Sequence, residues 1–134
     1  MASCEEIVLV VEDEDEARDS LVQILEFEGF EALGFANGTV ALDYLKNSEE
    51  PCLIVLDIRM PIMDGPEFRS ALLQDPRLAK IPVVVVTALE PSAAAGLSAV
   101  RVFRKPVDVD VLVNVVRQNC GKGRGIELEK PFPL

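Results

Sequence analysis

Between Leu53 and Gly65 the chain runs through four apolar residues, stops on one carboxylate, Asp57, and then breaks into the loop Ile58-Arg59-Met60-Pro61-Ile62-Met63-Asp64-Gly65. Four apolar residues in a row, without alternation, suit a central parallel strand covered on both faces. The C-terminal end of such a strand opens on the crevice where open α/β sheets bind their ligands. An aspartate in this place also caps or turns a following loop as a matter of routine. This stretch alone leaves the two roles even.

The rest of the chain supplies the sheet. Ile7-Val8-Leu9-Val10-Val11 is a second buried strand, ending in the acidic run Glu12-Asp13-Glu14-Asp15-Glu16. Residues 30–35 form a weaker strand interrupted by Gly34, and residues 82–87 a strong one that ends on Thr87. Residues 100–106 alternate apolar and charged side chains, as an edge strand with one wet face does. Helical spacing covers 15–28, with Gly29 as a C-terminal cap, then 38–47, then 66–73, where Asp75-Pro76 stops it. A short helix is expected over 91–97 and a last one over 108–120, with Asp108 as its N-cap. Strands alternating with helices predict an α/β fold, a single doubly wound five-stranded parallel sheet with helices on both faces. Right-handed crossovers then place the strand ends Glu12, Asp13, Asp57, Thr87 and Lys105 along one rim. Glu14, Asp15 and Glu16 are assigned the duller role of opposing the first helix's macrodipole.

At 134 residues the chain suits one domain, expected over 6–120, with 121–134 as a tail or linker and no output domain. A net charge of −10 argues against binding nucleic acid or anionic membrane and favours cations or basic partners. Three cysteines without any histidine suggest neither a disulfide framework nor a zinc site, so a reduced, cytoplasmic setting is the default. No run approaches 18 apolar residues, and the first residues are acidic where a signal peptide is basic. The lack of histidine also excludes an imidazole base, nucleophile or phosphate carrier.

Val11-Glu12-Asp13-Glu14, Asp57 with Met60-Pro61 and Asp64-Gly65, Thr87-Ala88, and Phe103-Arg104-Lys105-Pro106 each follow a strand, in that order. With these residues the chain resembles a response regulator receiver domain of two-component signalling over roughly residues 6–120. The resemblance implies a flavodoxin-like fold of strand order 2-1-3-4-5. It implies that Asp57 is the phosphoacceptor, taking a phosphoryl group from the phosphohistidine of a sensor kinase or phosphotransfer protein. Mg²⁺ is then expected on Glu12, Asp13, Asp57 and the backbone carbonyl of Arg59, a hard cation on oxygen ligands. Lys105 is implied to clamp a phosphoryl oxygen, or the Asp57 carboxylate when no phosphate is bound, with the Lys105–Pro106 bond cis. Thr87 is implied to hydrogen-bond the phosphoryl group, and Phe103 to be the aromatic that moves inward with it. The resemblance thus implies a signalling phosphoacceptor with self-catalysed phosphotransfer and autodephosphorylation, not an enzyme, that regulates a downstream protein partner.

Only seventeen residues, 88–104, separate Thr87 from Lys105, so the fourth helix is expected to be shortened. Two enzyme or cofactor readings fail on specific residues. A haloacid dehalogenase-type phosphatase needs a second acid where Arg59 stands, and a flavodoxin's phosphate loop would be repelled by residues 12–16. The alternative that survives is a protein-interaction module on the same fold that works without phosphorylation.

Overall fold

The computed structural model describes residues 7–120, so the acidic start and the expected tail over 121–134 lie outside the described residues. The strands are β1 (Ile7–Val11), β2 (Glu31–Phe35), β3 (Leu53–Asp57), β4 (Val83–Thr87) and β5 (Arg101–Arg104). The helices are α1 (Asp15–Phe27), α2 (Gly38–Lys46), α3 (Gly65–Leu73), α4 (Pro76–Ala79) and α5 (Val109–Cys120). All strand pairs are parallel and the sheet order is β2-β1-β3-β4-β5, as the resemblance implies.

Alternation along each strand divides the core into two layers. Val8, Val10, Leu53, Val55, Val84 and Val86 face Leu21 and Leu25 of α1 and Leu112 and Val116 of α5. Leu9, Val11, Ile54, Leu56, Val83 and Val85 face Leu42 and Leu45 of α2, Phe68 and Leu72 of α3 and Leu78 of α4. Both faces of β3 and β4 are buried along their whole length, which is why those strands read as unbroken apolar runs. Each fully buried Leu or Val contributes about 1.5–3 kcal/mol by leaving water.

Local chemistry sets the helix ends. Gly29, at φ 99°, closes α1, its N–H donating to Glu26 O while Phe30 N–H donates to Leu25 O. This pair of bonds ends the helix through a left-handed residue that glycine adopts without steric cost. At α3 a capping box operates: Glu67 N–H donates to Asp64 Oδ1 at 2.9 Å and Asp64 N–H to Glu67 Oε1 at 3.0 Å. Asp75-Pro76 ends α3 as expected but also starts α4, with Asp75 Oδ1 accepting from Arg77 N–H and Pro76 in the first turn. That helix is missing from the sequence expectation because four residues carry no periodicity.

The shortened fourth crossover is reduced to one 3₁₀ turn, Pro91–Ala94, with Ala94 and Leu97 tucked under the sheet. Arg69 of α3 holds the segment that follows. Its Nε donates to Leu97 O at 2.8 Å from an almost wholly buried position, and burial holds its pKa below the ordinary arginine value.

One expectation is overturned. Cys52, just before β3, and Cys120, the last residue of α5, form a disulfide across 68 residues, with Cα atoms 5.1 Å apart. Odd number and wide spacing concealed the pair, because the crossover topology rather than the sequence brings the two ends together.

Candidate functional site

The C-terminal ends of β1 and β3 lie side by side, since Val11 pairs with Leu56. The next residue of each chain segment therefore projects into one crevice. There Glu12, Asp13 and Asp57 each offer a carboxylate oxygen, and these oxygens all lie within 4.8 Å of one another. Glu12 is 2% exposed and Asp57 7%, whereas Asp13 stands in solvent. Lys105 follows β5 and reaches the same place, Nζ donating to Glu12 Oε1 at 2.9 Å. Its peptide bond to Pro106 is cis, as the resemblance implies.

Lys105 is paired with Glu12 and not with Asp57. Glu12 is the more deeply buried carboxylate, and a charge that far from water needs a direct counter-ion. Its other oxygen accepts from Glu14 N–H at 3.1 Å, and its carbonyl accepts from Arg18 Nη1 at 2.9 Å. Among the described residues no cation is bonded to Asp57 in this way. Burial, and then the charge of Glu12, push its pKa up from 3.8 to about 6, against the opposing pull of Lys105. Burial alone would depress Lys105, but the hydrogen bond to Glu12 and the charges of Asp57 and Glu12 outweigh it and hold the lysine above its ordinary value.

Thr87 ends β4 fully buried. Its Oγ1 accepts from Leu89 N–H at 2.9 Å and its carbonyl accepts from Lys105 N–H at 2.8 Å. The hydroxyl hydrogen remains free to donate. Phe103 does not share this environment. Thr87 pairs with Arg104 and Val85 with Val102, so Thr87 and Val102 lie on the α2–α4 face of the sheet, where Val102 packs. Phe103 is one residue out of phase, buried on the α1/α5 face with the Arg101 guanidinium carbon 5.2 Å from its ring centroid. An aromatic on the opposite face cannot fill space that Thr87 vacates, so the expected coupling of Phe103 to Thr87 is corrected. Arg59 stands exposed in the loop after β3, beside a cleft of about 410 Å³ that Met60, Pro61, Asp64 and Pro66 also line.

Two supporting residues had no role assigned from the sequence, Arg18 and the Gly65 of the Asp64-Gly65 pair. Arg18 lies across β2, its Cγ 2.9 Å from where a Cβ on Gly34 would be, and from there it reaches Glu12 O and Asp15. The glycine that weakened the second strand as a pattern is what lets this arginine brace the site. Gly65 is the other. A Cβ there would lie 2.8 Å from Ile58 Cα and 2.9 Å from Asp57 O, while its own N–H donates to Ile58 O at 2.8 Å. Gly65→Ala must therefore displace the backbone that carries Asp57. We expect a loss of about 2 kcal/mol in urea unfolding, as for other overpacked sites.

The comparisons with known proteins agree with this geometry. The family model of the response regulator receiver domain matches residues 8–117. Response regulator Rre1 of Synechocystis is 36% identical over 121 residues, which cover 82% of this chain and 49% of that protein. The chain thus spans about half the length of Rre1. Sporulation initiation phosphotransferase F of Bacillus subtilis is 31% identical, with 84% of this chain and 92% of that protein covered. Among solved structures, response regulator TrrA of Thermotoga maritima in complex with Mg(2+)-BeF superposes with a TM-score of 0.75 at 26% identity, covering 84% of this chain and 97% of that one. Sequence and fold lead to one conclusion: the chain belongs to the response regulator receiver domain family of two-component signalling.

Proposed function

We propose that Asp57 is the phosphoacceptor of this receiver, charged by the phosphohistidine of a sensor kinase or phosphotransfer protein. The observation that carries this is the convergence of three carboxylates and Lys105 on one sheet rim. An Asp57 oxygen attacks phosphorus, the O–P bond forms as the P–N bond breaks, and the imidazole leaves. An ionised carboxylate needs no base for this, only position and charge neutralisation. Lys105 supplies a cation to the phosphoryl oxygens when Glu12 releases it, and the free Thr87 hydroxyl hydrogen donates to another.

The donor set suits Mg²⁺. It is all oxygen, it holds two buried carboxylates served by a single lysine, and Asp57 resists ionisation in their presence. Glu12, Asp13 and Asp57 would be the side-chain ligands and the Arg59 carbonyl a further one. The solved Mg(2+)-BeF complex of TrrA supports this assignment. When bound, the cation offsets both the clustered carboxylates and the charge of the transferring phosphoryl group. Residues 6–120 form the receiver unit and 121–134 its tail or linker.

The message to a downstream partner leaves through Thr87 and Leu89 into residues 88–99, on the face where Val102 rather than Phe103 packs. It is a population shift between two packings, driven by the phosphoryl group's differential contacts.

Incubation with acetyl phosphate and Mg²⁺ tests the reading by intact mass. The wild-type chain gains one phosphoryl group and Asp57→Asn none. Equal mass for both, with no Mg²⁺-dependent rise in melting temperature on adding beryllofluoride, would instead favour a module that signals without phosphorylation.

A further inference from the structure

The disulfide lies at the far end of the sheet from Asp57. Cys52 precedes β3 and Asp57 ends it, a separation of about 16 Å along an extended strand, so the phosphoacceptor chemistry makes no use of it. Cys120 is buried in the layer between the sheet and α5, and Cys52 is half-buried at the edge of the same layer. Their Cα separation of 5.1 Å is within the range that a disulfide spans on an unshifted backbone.

The reduced pair is also accommodated. Cys52 N–H donates to Ile7 O at 2.9 Å, and Cys52 Sγ lies 3.3 Å from that same oxygen, where a thiol finds an acceptor. One backbone arrangement therefore satisfies both oxidation states. Among the described residues the end of α5 is otherwise held by the Arg117–Glu28 ion pair at 3.0 Å, by Arg117 over the Phe30 ring and by Val115 and Val116 buried against the sheet, so the disulfide adds a covalent tie to a packed contact.

We propose that Cys52 and Cys120 form a second covalent modification site of this chain, a dithiol that a small-molecule disulfide such as oxidised glutathione closes and a dithiol reductant opens. The Cys52 thiolate, the more accessible, attacks the oxidant's S–S bond, forms a mixed disulfide and releases one thiolate. The Cys120 thiolate then attacks Cys52 Sγ and releases the second. One oxidant disulfide is reduced to two thiols, which take up the two protons given by Cys52 and Cys120. Closure fastens the last turn of α5 to the strand whose other end carries Asp57.

The test equilibrates the full chain in glutathione buffers of stepped ratio, traps free thiols by alkylation and maps the peptides. The expected product is a peptide pair linked through Cys52 and Cys120, with Cys4 outside the linkage. Oxidation should raise the melting temperature of the wild-type chain by roughly 10–15 °C, from the loop it closes. Asp57→Asn should respond equally, which separates this proposal from the phosphoacceptor reading. Cys52→Ser and Cys120→Ala should not respond. The proposal is overturned by a linkage through Cys4, by a stable glutathione adduct on Cys52 with Cys120 still free, by no linkage at any ratio, or by the same shift in Cys52→Ser.

Discussion

Asp57→Asn is expected to be more stable than the wild-type chain at pH 7.5 in EDTA, by on the order of 2–3 kcal/mol, while accepting no phosphoryl group. The reason is the cost of ionising Asp57 in place. The fold raises its pKa from an ordinary 3.8 to about 6, first by burial and then by the charge of Glu12. A carboxyl with a raised folded pKa favours the fold fully below its unfolded pKa. That contribution disappears as pH rises through the folded value, at about 1.4 kcal/mol for each unit of difference. Between pH 4 and pH 6 the wild-type chain should therefore lose stability that Asp57→Asn keeps. Urea unfolding at pH 4 and pH 7.5 measures the difference, which should be near zero at the lower pH. Mg²⁺ should reverse the order at pH 7.5, because a ligand held only by the folded wild type at a thousand times its Kd adds about 4.1 kcal/mol. An Asn variant no more stable than wild type in EDTA would mean that ionising Asp57 costs the fold nothing.

Most of the architecture was legible because it depends on local pattern. Buried parallel strands read as apolar runs, and residues 7–11, 53–57 and 83–87 were found close to their true limits. The rim also followed, since a strand that ends on a polar side chain points it into the crevice. Features made by tertiary contact did not follow. The Cys52–Cys120 pair depends on where the end of α5 passes β3, and Arg18 owes its place to an absent side chain on a neighbouring strand. Phe103 lies between these, because alternation separates it from Val102 but only the pairing of the strands assigns the faces. Val102 and Phe103 alternate, and a strand sends successive side chains to opposite faces. The register of Thr87 with Arg104 shows which face each takes.

Lys105→Met should destabilise the metal-free chain at pH 7.5 by about 3 kcal/mol, and the loss should respond to both acid and Mg²⁺. Lys105 is the cation bonded to Glu12, whose side chain is 3% exposed, and its charge also acts on Asp57. Methionine keeps the apolar stem and removes the ammonium, so packing is nearly constant while two neighbouring carboxylates lose their counter-charge. Removing one partner of a buried pair costs about 3–5 kcal/mol when the other stays charged; partial exposure of Lys105 and proton uptake by Asp57 hold the loss to the lower end. At pH 4, with Asp57 protonated in the fold, the penalty should fall, leaving Glu12 as the carboxylate without its counter-ion. Saturating Mg²⁺ should do the same at pH 7.5 by supplying positive charge to the same oxygens, although phosphoryl uptake from acetyl phosphate should remain slow because the clamp is gone. Lys105→Arg should keep most of the stability. A loss that is identical at both pH values and indifferent to Mg²⁺ would show that Lys105 holds the site by packing rather than by charge, and would remove the electrostatic basis for placing a cation between Glu12, Asp13 and Asp57.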